Sequence, residues 1–190
     1  MRASVICLSH ARGSAGQEIG RLLAERIGFR YVDEGIIFTA ANADHMYPEA
    51  VSLAESRNAG RRLEVDFNRF EPTDAVRELI RAAILETADE GEVVIVAHAA
   101  SFALAEREGV LRVHVTASPE NRLQRLTEDE GFDTETAAHV LEDSDKDRWA
   151  YVKEFHGVTH ELPTHYDLII NTDRLSTERA AETIAHAFLM

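Results

Sequence analysis

The first 33 residues constrain the fold more than any other stretch. Ser4-Val5-Ile6-Cys7-Leu8-Ser9 is short, continuous and partly β-branched, which suits a strand covered on both faces of a parallel sheet. A glycine-bearing turn follows. Ile19, Leu22, Leu23 and Ile27 then recur at helical spacing, while Glu18, Arg21, Glu25 and Arg26 take the opposite side. Gly28 is the stop signal. Phe29 to Val32 reads as a second short strand, which puts Asp33 at its carboxyl end, where α/β folds usually set ligand-binding side chains.

The alternation continues down the chain. Thr73 or Asp74 caps a helix carrying Val76, Leu79, Ile80, Ala83 and Ile84, and Gly91 ends it. Val93 to Ala97 and Leu111 to Thr116 are further covered strands, with a short helix over Ser101 to Glu108 between them. Ser118 and Pro119 open a helix, Thr134 begins another that runs towards His156, and Tyr166 to Asn171 forms a last strand before an amphipathic helix from Ser176. This βαβα order defines an α/β fold with a central parallel sheet, and 190 residues at 45% hydrophobic content suit one domain, 1–190. From Asn42 to Thr73 the pattern weakens, and a helical insertion is expected there.

Charge narrows the partners. A net charge of -14 opposes the basic footprint of a protein that grips long nucleic acid or an anionic membrane. Small phosphorylated ligands need only local positive charge. No run of eighteen apolar residues occurs, and Met1 to Ser9 lacks the pattern of a secretory signal, so a cytoplasmic protein is expected. The lone Cys7 sits in an apolar run and reads as a buried small hydrophobe. The nine histidines do not cluster at metal-ligand spacing, and Gly157 interrupts the single helical pair, His156 and His160, so no resident metal is expected.

Between the first strand and its helix stands Ser9-His10-Ala11-Arg12-Gly13-Ser14-Ala15-Gly16-Gln17-Glu18. Glycines there let backbone approach an anion, and a helix start supplies unpaired N–H donors. The full phosphate-loop pattern also wants Lys followed by Ser or Thr, where Gln17 and Glu18 are read. Only two lysines exist, Lys146 and Lys153, so no lysine lies near. Arg12 and Arg21 are the local substitutes, and a tight β-α turn with no ligand remains the competing reading.

With its later segments added, the sequence resembles the cytidylate kinase-like family, relatives of the nucleoside monophosphate kinases. The marks are Arg12-Gly13-Ser14-Ala15-Gly16, then Glu18 to Gly28, Tyr31-Val32-Asp33, Val113 to Arg122, Asp145 to Lys153 and Tyr166 to Asp173. The resemblance implies a three-layer α/β/α fold of the P-loop nucleoside kinase type, with a helical acceptor-side insertion over about 42–72 and a lid over about 132–160. It implies ATP with Mg²⁺ as donor, Asp33 being the best local carboxylate, and a nucleoside monophosphate such as CMP as acceptor. Arg12, Gly13, Ser14, Ala15, Gly16, Gln17 and Glu18 would cradle the donor phosphates, with Arg122 and Arg125 at their border. Asp33, His98 and Lys153 would serve the acceptor. Asp33, Arg122, Lys146 and Arg148 would carry catalysis, the last two from the closing lid.

The family pattern has Gly-Arg-Gly after the second apolar strand, where this chain has Ala97-His98-Ala99. His98 lacks the guanidinium fork for bidentate phosphate contact. Three functions therefore stay open: a phosphotransferase, a non-catalytic nucleotide-binding or regulatory protein that keeps the fold without the lysine, and a purely structural assembly protein. A homodimer stays open as well. Asp145 is read as orienting Lys146 and Arg148 or pairing with Arg148 on the surface, Trp149 as a packing anchor, and Asn171-Thr172-Asp173 as a cap for the last turn.

Overall fold

Among the described residues five parallel strands build the core, in the order β2-β3-β1-β4-β5. In the computed structural model the described residues are 3–33, 74–97 and 100–190. The strands are β1 (Val5–His10), β2 (Arg30–Asp33), β3 (Val93–Val96), β4 (Val110–Thr116) and β5 (Leu168–Asn171). β1 is central and every one of its residues is buried. Its side chains alternate between the two faces, so a continuous apolar run is what a doubly covered strand requires.

Ile6 and Leu8 point into one layer, with Ile19 and Leu23 of α1 (Gly16–Ile27) and Ala180 and Ile184 of α6 (Thr177–Leu189). Val5 and Cys7 point into the other, with Ile84 and Ala88 of α2 (Asp74–Asp89) and Ala100 of α3 (Ala100–Ala103). The arrangement is the three-layer α/β/α expected from the sequence. Fully buried Ile6, Leu8, Ile19, Leu23 and Ile95 each contribute roughly 1.5–3 kcal/mol through removal from water. Burial likewise pushes the Cys7 thiol pKa up, which suits an inert core group. A third cluster, Leu126, Ala137 and Leu141, joins α4 (Pro119–Glu128) to α5 (Thr134–His156).

The helix boundaries follow local chemistry. Ser118 accepts from the Asn121 amide with Pro119 in the first turn, Asp133 accepts from Thr136, and Ser176 accepts from Arg179. Gly28 and Gly157 close α1 and α5 in the left-handed conformation, at φ 74° and 64°. β2 starts at Arg30 rather than Phe29, because the Phe29 amide is spent on the Ala24 carbonyl of that closing motif. β5 starts at Leu168 rather than Tyr166, since the Tyr166 amide closes the 3₁₀ turn Pro163–His165. Trp149 is no packing anchor: it is 37% exposed, tilted against His160. The expected insertion over 42–72 lies outside the described residues, as does His98.

Candidate phosphate-binding site

β1 has β3 on one side and β4 on the other, so the strand order reverses at its carboxyl end and leaves a crevice there, where open α/β sheets bind ligands. Residues 11–15 occupy that point. Gly13 and Ala15 both take left-handed backbone, φ 75° and 63°, with Ala15 capping α1. Ser14 is fully buried and its hydroxyl donates back to the Ala11 carbonyl at 2.7 Å, with the Val115 carbonyl at 3.1 Å. The side chain most able to fill the turn is therefore tied beneath it.

The carbonyls of the turn are tied as well. Arg122 Nε donates to the Arg12 carbonyl at 2.6 Å, Arg125 donates to that of Gly13 at 2.9 Å, and Thr172 Oγ1 donates to that of Ser14 at 3.1 Å. In a trans peptide the N–H points opposite to its C=O. Holding the Arg12 and Ser14 carbonyls on the α4 and β5 side therefore turns the Gly13 and Ala15 amides the other way. Those two amides, and those of Gly16, Gln17 and Glu18 in the first turn of α1, have no acceptor among the described residues. Unpaired donors converging at a helix amino end are the requirement for holding a phosphate.

Ala15 fixes the register of the loop. The glycine of the phosphate-loop pattern that directly precedes the helix is the one that needs positive φ, and that position is held by Ala15. The lysine's place is then Gly16 and the hydroxyl's place Gln17, one residue earlier than the glycine spacing alone indicates. A Cβ on Gly16 would lie 2.3 Å from His10 Cβ and 2.4 Å from its Cγ. His10 thus occupies the volume from which a lysine would project.

The arginines around the loop are engaged. Arg12 pairs with Glu130 at 2.5 Å, and Arg122, only 7% exposed, forms a two-pronged pair with Asp145 of α5 at 2.6 and 2.9 Å. Asp145 therefore crosses to another helix instead of serving Lys146 or Arg148. Arg148 is 8% exposed and bonded to Glu161 and Tyr166 at the base of α5. Lys146 is solvent-exposed on α5 and pairs with Glu142 at 2.7 Å, which raises its pKa. Lys153 is exposed on the same helix. Asp33 ends β2, two strands from β1, with the Tyr31 hydroxyl at 3.4 Å and Arg21 at 3.8 Å from its carboxylate. The structure thus gathers Arg12, Gly13, Ser14, Ala15, Gly16, Gln17, Glu18 and Arg122 at one place, keeps Asp33 two strands away at the end of β2, and leaves Lys146, Arg148 and Lys153 on α5.

Thr172, read from the sequence as part of a cap, has a different role. It is 2% exposed and belongs to the loop rather than to a cap of its own turn. Asp173, beside it, accepts the Ser118 amide at 2.7 Å and anchors the start of α4, which lowers its pKa. The available signal was position: both follow the last strand at the ligand end of the sheet.

Next to Arg148 lies a group of aromatic side chains. His114 stacks on Tyr166 at 4.9 Å, and Phe102 meets Tyr166, His156 and His165 at 5.2–6.2 Å. Burial, then the charge of Arg148, pushes the His114 pKa down to about 4 despite Glu161. Among the described residues no group of His, Cys, Asp or Glu could hold a metal ion, and no helix is long and apolar enough to cross a membrane.

A parallel sheet switched at its central strand, with unpaired amides aimed into the crevice, defines a P-loop kinase fold. The match to solved structures agrees. A protein from Eubacterium ventriosum superposes with TM-score 0.74 at 16% identity, covering 97% of each chain. A shikimate kinase from Acinetobacter baumannii does so with TM-score 0.58 at 16% identity, over 98% of this chain and 93% of its own. A family model described as the cytidylate kinase-like family matches residues 5–174, and the chain belongs to that family. Among curated relatives, the cytidylate kinase of Ignicoccus hospitalis is 25% identical over 98% of this chain and 99% of its own length. That of Methanopyrus kandleri is 28% identical over 92% and 87%.

Proposed function

We propose that the chain is a nucleoside monophosphate kinase that moves the γ-phosphate of ATP to an acceptor such as CMP. The observation that carries this reading is the set of loop amides without acceptors, Gly13, Ala15, Gly16, Gln17 and Glu18, at the switch point of the sheet. Family membership supports nucleotide phosphoryl transfer, and cytidylate comes first because the matched curated relatives carry that name.

A phosphate fits this loop, because its unmet need is for an anionic acceptor. Mg²⁺ carried on the nucleotide would supply neutralising charge at the transferring group. The chain adds little to hold it: Gln17 replaces the usual hydroxyl, and the Ser14 hydroxyl is spent on Ala11. In this reading the loop amides fix the donor phosphates, Asp33 orients the acceptor, and Arg122 keeps the loop in shape. Lys146 and Lys153 are the exposed lid cations that closure delivers. Arg148 serves the transferring phosphate only if it leaves Glu161. His98 belongs to the acceptor side, and the reaction takes place in the cytoplasm.

Coupled ADP-release assays with CMP, dCMP, UMP and AMP test the proposal. Turnover that is strongest with CMP and is lost in Asp33→Ala supports it. One observation favours a second reading, a nucleotide-binding regulator without turnover: His10 fills the volume a lysine would need. Binding of ATP with no ADP release under any acceptor selects that reading.

A further inference from the structure

The loop's missing ammonium raises a question of charge. Phosphoryl groups carry negative charge that neutral amides bind weakly unless a cation lies near. The guanidinium groups that touch the loop from α4 differ in one respect. Arg122 is neutralised by Asp145, as Arg12 of the loop itself is by Glu130. Arg125 makes no ion pair with any described carboxylate. It donates only to neutral oxygens: the Gly13 carbonyl at 2.9 Å, Thr172 Oγ1 at 3.0 Å and the Thr172 carbonyl at 2.7 Å.

Thr172 relays that contact. Its hydroxyl accepts from Arg125 and donates its single proton towards the Ser14 carbonyl at 3.1 Å, with the Thr116 carbonyl at 3.3 Å. The Ser14 carbonyl shares its peptide with the Ala15 amide, which points into the crevice without an acceptor. The sequence of donors is therefore Arg125, Thr172 hydroxyl, Ser14–Ala15 peptide, bound anion. Hydrogen bonds in such a chain polarise one another, and a cation at its head strengthens the last donor.

We propose that Arg125 and Thr172 are positioning residues that supply, from behind the loop, the positive charge a lysine would supply from within it. The inference rests on the phosphate-binding reading of the loop and adds to it the source of its charge. Arg125 never touches the anion. Its field reaches the phosphate through the Ser14–Ala15 peptide, in a place shielded from bulk water by the buried Ser14 and Thr172. The geometry makes two demands: a positive charge at 125, and a hydroxyl at 172.

Calorimetric titration of inorganic pyrophosphate and of ADP, each at low and at high salt, tests this, with melting curves recorded on the same samples. Arg125→Gln keeps hydrogen-bond donors and removes the charge, and is expected to weaken both ligands about ten- to thirty-fold at low salt while flattening the salt dependence. Arg125→Lys keeps the charge and is expected to stay within about threefold of the native affinity. Thr172→Ser retains affinity and Thr172→Val loses it. Native binding with an unchanged Arg125→Gln variant, or with Gln and Lys variants equally weak, overturns the proposal and leaves the loop's phosphate-binding role intact. Failure of the native chain to bind either ligand overturns both. Should Arg125→Gln not fold, the Thr172 pair decides: equal affinities for Ser and Val refute the relay.

Discussion

Replacing Gly16 by alanine places one methyl group where the structure has none to spare. The new Cβ would stand 2.3 Å from His10 Cβ, 2.4 Å from Cγ and 2.9 Å from Cδ2, where carbon atoms settle at about 3.5–4.0 Å. The first two of those atoms lie next to the backbone of β1, so they cannot swing aside as the tip of a long side chain does. Overpacking of this kind costs about 1–3 kcal/mol. For a chain of this size that lowers Tm by roughly 2–4 °C per kcal/mol, so a fall of several degrees is expected. The contact is specific enough to be checked by a double-mutant cycle in denaturant. In a His10→Gly background all three obstructing atoms are gone, and Gly16→Ala should cost little. In a His10→Ala background the Cβ remains, and most of the penalty should persist. Equal penalties in all three backgrounds would show that His10 does not occlude Gly16. The same logic predicts that Gly16→Lys is tolerated only with His10→Gly.

Two further outcomes follow from the ties around the loop. Asp145→Ala strips the buried Arg122 of its only described carboxylate partner and should destabilise the chain by roughly 1–3 kcal/mol, the lower end reflecting the half-exposed Asp145 side; equilibrium urea unfolding measures it, and no change would mean Arg122 finds water instead. His114 is held neutral, with a folded pKa of about 4 against an ordinary value of 6.5. The unfolded chain therefore binds the proton first, so this contribution to stability is complete above pH 6.5 and is lost as pH falls towards 4, up to about 3 kcal/mol. His114→Phe, which keeps a ring against Tyr166, should flatten that part of the pH–stability curve, and an unchanged slope would contradict the assignment.

Much of this was legible in the residues. The unbroken run Val5 to Leu8, the stripe Ile19 to Ile27 and the helix starts at Ser118 and Ser176 report local requirements, and local requirements are written locally. Asp145 reads as a surface partner of its own helix because its true partner, Arg122, lies 23 residues away on α4. Thr172 reads as a turn residue because its bond to the Ser14 carbonyl spans 158 residues. His10 looks unremarkable beside the glycines until the strand and helix are set at their actual distance, when its ring fills the lysine's volume. Long-range pairings of this kind depend on packing, which periodicity does not encode.

Backbone amide resonances give the most direct view of the loop. A ¹⁵N–¹H titration with pyrophosphate should move the Gly13, Ala15, Gly16, Gln17 and Glu18 signals together along one saturable curve, while amides at the far ends of the strands stay still. Saturating pyrophosphate that leaves those five signals unmoved, or that shifts only surface arginine and lysine neighbours, would contradict an anion seat at the start of α1.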